Sequence, residues 1–188
     1  MRLTDDRYAT ERSQFELALR MIRHEARTRT IRVCTGLSDD RIRKLYATYF
    51  RNTGATDIRR RRGKSPRQVT RFVKNPQNQL QATTLVALYC SSLLLRIDSE
   101  GNVAPCWPRP DVEFGHRLCR AYETYLLLHD DAQLSFEWAW NLLHSISYND
   151  ELYLAGCGSC RTRYVQDAYA IDNETCPCCA IEASKQRS

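Results

Sequence analysis

Apolar residues return at helical intervals along most of the chain. In RYATERSQFELALRMIRHEARTRTIRVCTG (7–36), Phe15, Leu19, Ile22 and Ala26 fall at i, i+4, i+7 and i+11, leaving charge on the opposite face. The spacing predicts a helix that Gly36 stops. Ser38 then stands where a cap belongs, and DDRIRKLYATYF follows, with Ile42, Leu45, Tyr46 and Tyr49 as its inward stripe. Asp39 and Asp40 occupy its first turn, where the helix dipole favours them, and Asn52, Thr53 and Gly54 end it. Ala55–Gln79 has few apolar residues and is broken by Gly63, Pro66 and Pro76, which predicts an extended arm. Leu80–Ile97 is apolar on nearly all sides, the pattern of a core helix, and Gly101–Pro110 (GNVAPCWPRP) reads as a linker. Phe114, Leu118, Tyr122, Tyr125 and Leu126 place a helix over Asp111–His129, and Gln133–Tyr148 forms a further one.

The fold class is therefore mainly α, with a cysteine-rich element at the end of the chain. Four regions are expected: a helical region with a helix-turn-helix-like unit over 1–54, a basic arm over 55–79, a helical core over 80–150, and a metal-binding element with its tail over 151–188. The first residues have no apolar segment of the secretory kind, and Thr84–Ile97 is too short and too interrupted by serine to span a bilayer. A cytoplasmic protein that does not engage a membrane is the expectation.

Charge divides the chain more sharply than its net +6 suggests. Residues 1–97 carry 21 Lys and Arg against 8 Asp and Glu, or +13, whereas residues 98–188 carry 7 against 14, or −7. No acid occurs between Ile58 and Ile97, while Arg59, Arg60, Arg61, Arg62, Lys64, Arg67, Arg71 and Lys74 cluster there. Such a cluster supplies affinity for a polyanion by counterion release without reading sequence, and arginines of this kind also enter minor grooves. The competing interpretation is a solvated charged loop.

Five of the nine cysteines lie within Gly156–Ile181. Cys157-x2-Cys160 and Cys176-x2-Cys179 are separated by fifteen residues, and each pair makes a tight turn that aims two thiolates at one point. In a reducing compartment this spacing means a metal, and four soft ligands select zinc over magnesium or calcium. One structural Zn2+ per chain is expected, with an iron–sulfur cluster or unlinked thiols as the alternatives. Cys178 is left over, because its use would put two ligands side by side; Cys90 and Cys119 read as small core residues.

Catalytic patterns do not appear. A zinc deaminase needs H-x-E with P-C-x-x-C, a metalloprotease H-E-x-x-H, and neither is present; His24–Glu25 continues Ala-Arg-Thr. The chain also has no G-x-S-x-G, no Walker loop and no dinucleotide fingerprint. Together with the scattered histidines 24, 116, 129 and 144, this argues against an enzyme.

TRTIRVCTGLSDDRIRKLYATY has the parts of a helix-turn-helix: Gly36 at the turn, Ile31, Leu37, Ile42 and Leu45 as inward residues, and Arg41, Arg43 and Lys44 on the outer side. Asp39 and Asp40 sit where phosphate would repel them, so a packed helical hairpin is an equal reading of this stretch alone. The basic arm that follows tips the balance toward DNA.

The order RIRKLYATYF, then RRGKSP, then AYETYL, then WAWNLLHSISYNDELYLAGCGSC and a second C-x2-C resembles the flagellar transcriptional activator FlhC family over roughly residues 10–180. The aromatic helix running into the four-cysteine cluster is the most specific part. The resemblance implies a largely helical protein with one zinc on Cys157, Cys160, Cys176 and Cys179. It also implies assembly with FlhD into a heterohexamer of four FlhD and two FlhC, in which FlhC supplies most of the affinity for promoter DNA. That complex binds upstream of flagellar operons and recruits RNA polymerase in the bacterial cytoplasm. From a different class, a zinc-stabilised protein–protein adaptor or an RNA-binding regulator also fits the charge pattern.

Overall fold

The computed structural model describes residues 3–51, 58–61, 63, 66–148, 151–171 and 174–186. Among them eight helices and two short antiparallel hairpins form the chain, so the mainly helical class holds. The chain divides into two compact units: Met1–Ser65 with Trp107–Cys119, and Pro66–Cys106 with Arg120–Ser188.

The first unit starts with α1 (Leu3–Arg23) and α2 (Thr28–Thr35) where the periodicity had suggested one helix. The break is a left-handed residue, Glu25, with φ of 56°. The Ala26 N–H returns to the Met21 carbonyl at 3.0 Å and the Glu25 N–H to the Ile22 carbonyl at 2.9 Å. This is a Schellman ending, sealed by the buried pair Ala26 and Met21, and it lacks only the glycine that usually announces it. Gly36 plays that role openly at the end of α2, with φ of 72° and its N–H on the Arg32 carbonyl at 2.8 Å. Leu37 and Ser38 complete the turn, and the Ser38 hydroxyl accepts from the Arg41 N–H to cap α3 (Asp39–Tyr46) as expected.

α1, α2 and α3 pack on one another around Leu17, Met21, Ile22, Ile31, Cys34, Leu37 and Ile42. After Tyr46 the helix widens into a π turn over Ala47–Arg51, which rotates Tyr49 out to solvent rather than into the expected stripe. The expected terminators Asn52, Thr53 and Gly54 lie outside the described residues. The start of α6 (Val112–Leu128) belongs to the same unit. A Cβ on Gly115 would stand 2.4 Å from Leu17 Cδ2 and 3.1 Å from Cys34 Cβ, so this helix approaches α1 and α2 as closely as only glycine allows.

The second unit is built on α5 (Pro76–Ser91), whose Asn75 cap accepts from the Asn78 N–H at 2.8 Å. Much of the expected arm before it is ordered by this unit, including the single turn α4 (Thr70–Val73) with buried Phe72 edge-on to Trp138. The expected core helix to Ile97 ends early. Leu93, φ 56°, makes a second glycine-free Schellman ending, with the Leu94 N–H on the Tyr89 carbonyl at 2.9 Å. The chain then forms the hairpin β1 (Leu95–Ile97) and β2 (Val103–Pro105), so part of the predicted linker is a strand. Asp98 organises its turn by accepting from the N–H groups of Glu100, Gly101 and Asn102. Asn102, through its side-chain amide first and its backbone N–H second, holds the Asp98 carboxyl below its usual range.

α7 (Phe136–Tyr148) packs on α5, where the Tyr89 hydroxyl donates to the Ala139 carbonyl at 2.8 Å. Buried Gln81 joins Tyr125 to the backbone of Gln133 and Asp131, fixing the loop between α6 and α7. The hairpin β3 (Leu152–Gly156) and β4 (Arg163–Asp167) and the helix α8 (Pro177–Lys185) complete the unit. β4 meets α5 along its open edge. Gln79 Nε2 donates to the Val165 carbonyl at 2.9 Å, and Thr83 Oγ1 accepts from the Val165 N–H at 3.1 Å. Two side chains one helical turn apart thus occupy the hydrogen-bonding groups of a buried strand residue.

Replacing Thr83 with valine keeps the shape and strands that N–H. A destabilisation of about 1–3 kcal/mol is expected in urea melts.

Candidate metal centre and basic surface

The two cysteine pairs arise from different local devices. Gly156 pairs with Arg163, so Cys157 to Thr162 form the loop of the β3–β4 hairpin. That loop closes tightly: the Cys157 N–H bonds the Thr162 carbonyl, the Arg161 N–H bonds the Cys157 carbonyl, both at 3.0 Å, and Arg161 turns left-handed. The second pair belongs to α8. Cys176 is its N-cap, its sulfur accepting from the Cys179 N–H at 3.4 Å, and Pro177 fills the first helical position, where no amide hydrogen is needed. The Gly158 N–H ties the loop to the strand of chain before α8 through the Glu174 carbonyl at 2.8 Å.

These devices bring the sulfurs of Cys157, Cys160, Cys176 and Cys179 within 4.8 Å of one another. Cys157 and Cys179 are 3.9 Å apart, and Cys160 and Cys176 3.5 Å. A disulfide needs about 2.05 Å, so all four remain thiols. A tetrahedral ion with bonds of about 2.3 Å to sulfur requires edges of about 3.8 Å, which the two distances bracket. The donor set and its geometry therefore fit a metal ion. Cys178 is exposed on α8 and stands outside the group. Cys90 is half-buried and Cys119 fully buried.

The surroundings favour thiolate at one ligand before any metal arrives. Backbone N–H groups of Cys160 and then Cys176 pull the Cys157 thiol down to about 6. Cys160 is lowered too, chiefly by Thr162, whereas burial raises Cys176, and its hydrogen bond with Cys176 raises Cys179. Two of the four, Cys157 and Cys176, belong to a small apolar cluster with Ala155 and Tyr164. Tyr164 is fully buried and backs the site.

The residues expected to meet DNA are distributed over both units. In the first unit Arg41, Arg43 and Lys44 are exposed on α3; Arg41 lies 5.2 Å from the Phe15 ring and Arg43 pairs with Asp40 at 3.0 Å. Arg59 and Arg61 are exposed and Arg60 half-buried. Arg62 and Lys64 lie outside the described residues. In the second unit Arg67 and Lys74 are exposed. Arg71 is engaged internally, stacked 5.1 Å over Trp138 and donating to the Gln133 carbonyl at 3.2 Å. Two residues that sequence reasoning passed over organise the arm: Glu25, which pairs with Arg61 at 2.7 Å, and Tyr46, whose hydroxyl donates to the Ile58 carbonyl at 2.8 Å. Glu25 carried a faint signal as an isolated acid in a basic stretch, while Tyr46 carried only an apolar one.

No helix among the described residues is long and apolar enough to cross a membrane. No family model matches the chain, and no curated protein matches it at a significant level.

Cys178→Ser is expected to leave one metal per chain, and Cys176→Ser to lose it, as read by metal analysis of the purified proteins. Protons compete with metal for sulfur, so affinity falls as pH falls. Cys157, depressed to about 6, keeps its charge longest, and capture of the metal by a chromophoric chelator should rise as pH falls.

Proposed function

We propose that this protein is a zinc-containing, DNA-binding subunit of a bacterial cytoplasmic transcriptional activator, working in the manner of FlhC. The single observation that carries the reading is in the first unit. A short helix, a Gly36 turn and a second short helix present Arg41, Arg43 and Lys44 to solvent, and the arm bearing Arg59, Arg60 and Arg61 is held at Ile58 by Tyr46 of the same helix. A reading helix with an adjacent cluster of arginines supplies both base-edge contacts and the sequence-independent phosphate term.

Zinc is the ion that four thiolates in a tetrahedron best suit. Bound by four sulfurs it has no open position for water, and its contribution is cohesion of the β3–β4 hairpin with α8. No chemical step follows, so the activity is docking on promoter DNA and presentation of a surface to RNA polymerase. The resemblance adds a helical FlhD-like partner, four copies to two of this chain, and flagellar operons as targets. A reading as a protein–protein adaptor has its own support in Leu126, Leu127 and Leu128, the second of them 85% exposed at the end of α6. It predicts partner binding without DNA binding.

Titration of a promoter duplex at several salt concentrations tests the reading. Affinity should fall steeply, with a log–log slope near −0.9 for each phosphate contacted. Reversing charge at Arg59–Arg62 should abolish duplex binding and spare complex formation with a partner. A shallow slope, or equal competition by single-stranded RNA, would favour the adaptor or an RNA-binding regulator. Cobalt(II) exchange should give the absorption of a tetrahedral thiolate site.

A further inference from the structure

The root of the basic arm is tied to the first unit at three points. Tyr46 Oη donates to the Ile58 carbonyl at 2.8 Å, the Arg59 backbone N–H donates to Glu25 Oε1 at 3.2 Å, and Arg61 Nε donates to Glu25 Oε2 at 2.7 Å. Underneath is a cavity of about 10 Å³, the room of a single water, walled by Ile22, Ala26, Ile31 and Ile42 and bordered by Arg59 and Arg60. The segment is therefore seated on the corner where α1 turns into α2.

Glu25 is an unusual residue for that corner. It is left-handed, a conformation that is strained for a residue with a Cβ and free of strain for glycine. A carboxylate beside arginines meant for phosphate should also weaken DNA binding, since it repels the same ligand. Two roles are open to it: shielding the arginines, or aiming them.

The atoms favour aiming. One carboxylate oxygen is used on an uncharged backbone N–H, a contact that sets the path of the chain and neutralises nothing. The other takes Nε of Arg61, so the end-on pair of Nη groups is not spent on Glu25. That pair grips phosphate in a two-pronged contact. Arg61 keeps about half its side chain exposed (49%), whereas Glu25 is largely covered (26%).

We infer that Glu25 is a positioning residue for DNA: it fixes where the arm leaves the α1–α2 corner and orients Arg61 toward a phosphate. The inference rests on the reading of the arm as a DNA contact.

The informative variant is Glu25→Gly. Glycine relieves the left-handed backbone, so the melting temperature should hold or rise, and removal of a negative charge should on electrostatics alone tighten binding. Positioning predicts the reverse. A mixed-sequence DNA duplex should bind about tenfold more weakly, with a log–log salt slope shallower by about 0.9, one phosphate contact. Glu25→Gln, which keeps the shape, and Tyr46→Phe, which releases only Ile58, should each show part of the loss. Unchanged or tighter binding by Glu25→Gly at an unchanged slope overturns the inference alone and makes Glu25 a shield. Weaker binding with an unchanged slope and a lowered melting temperature also overturns it, as damage to the fold. If the wild-type protein itself fails to bind the duplex, the DNA reading falls and takes this inference with it.

Discussion

An edge strand offers a row of backbone groups with no neighbouring strand, and a buried one must find partners elsewhere. In this protein β4 finds them on a helix. Gln79 and Thr83 take both the carbonyl and the N–H of Val165, so α5 stands in for a third strand. Much follows from that substitution. β4 leads back to the loop that carries Cys157 and Cys160, and α8, which carries Cys176 and Cys179, also packs on α5. Both halves of the sulfur cluster are thereby referred to one rigid helix, which is itself held by Phe72, Tyr89 and the Gln81 network. An ion held by the four sulfurs would tie the β3–β4 loop to α8.

The first unit solves a different problem. It must keep a dense positive charge from disordering a small helical core, and it does so by separating the two. Ile31, Leu37 and Ile42 face inward at the Gly36 turn while Arg41, Arg43 and Lys44 stay in water. Neighbouring acids moderate the charge locally: Asp39 lies 3.4 Å from Arg32 and Asp40 3.0 Å from Arg43. Such exposed pairs contribute little to stability, and their effect is on where the guanidinium groups spend their time.

How much was legible in the chain depended on whether the physical cause was local. The cysteine spacing located the sulfur cluster, because a turn of two residues between ligands is a short-range constraint. Gly36 and Ser38 announced a turn and a cap by residue type, and the structure has both. The ends of α1 and α5 were missed for the same kind of reason. Glu25 and Leu93 are left-handed residues with side chains, so the sequence carries no punctuation there, and the buried residue that follows each of them stabilises the ending. The β1–β2 hairpin was hidden in a stretch read by its prolines. Gln79, Thr83 and Tyr46 were illegible as functional residues, since each acts on a backbone group distant in sequence. Arg71 looked like any other arginine of the arm until Trp138 was placed beneath it.

Cys176 carries two duties on one sulfur atom: it caps α8 and belongs to the ligand set. A helix of nine residues is too short to persist in water on its own. The sulfur that accepts the Cys179 N–H would bind the ion through another of its lone pairs. Occupancy of the cluster and order in α8 are therefore linked thermodynamically, each favouring the other. Without an ion α8 would keep its packing on α5 and lose its tie to the β3–β4 loop.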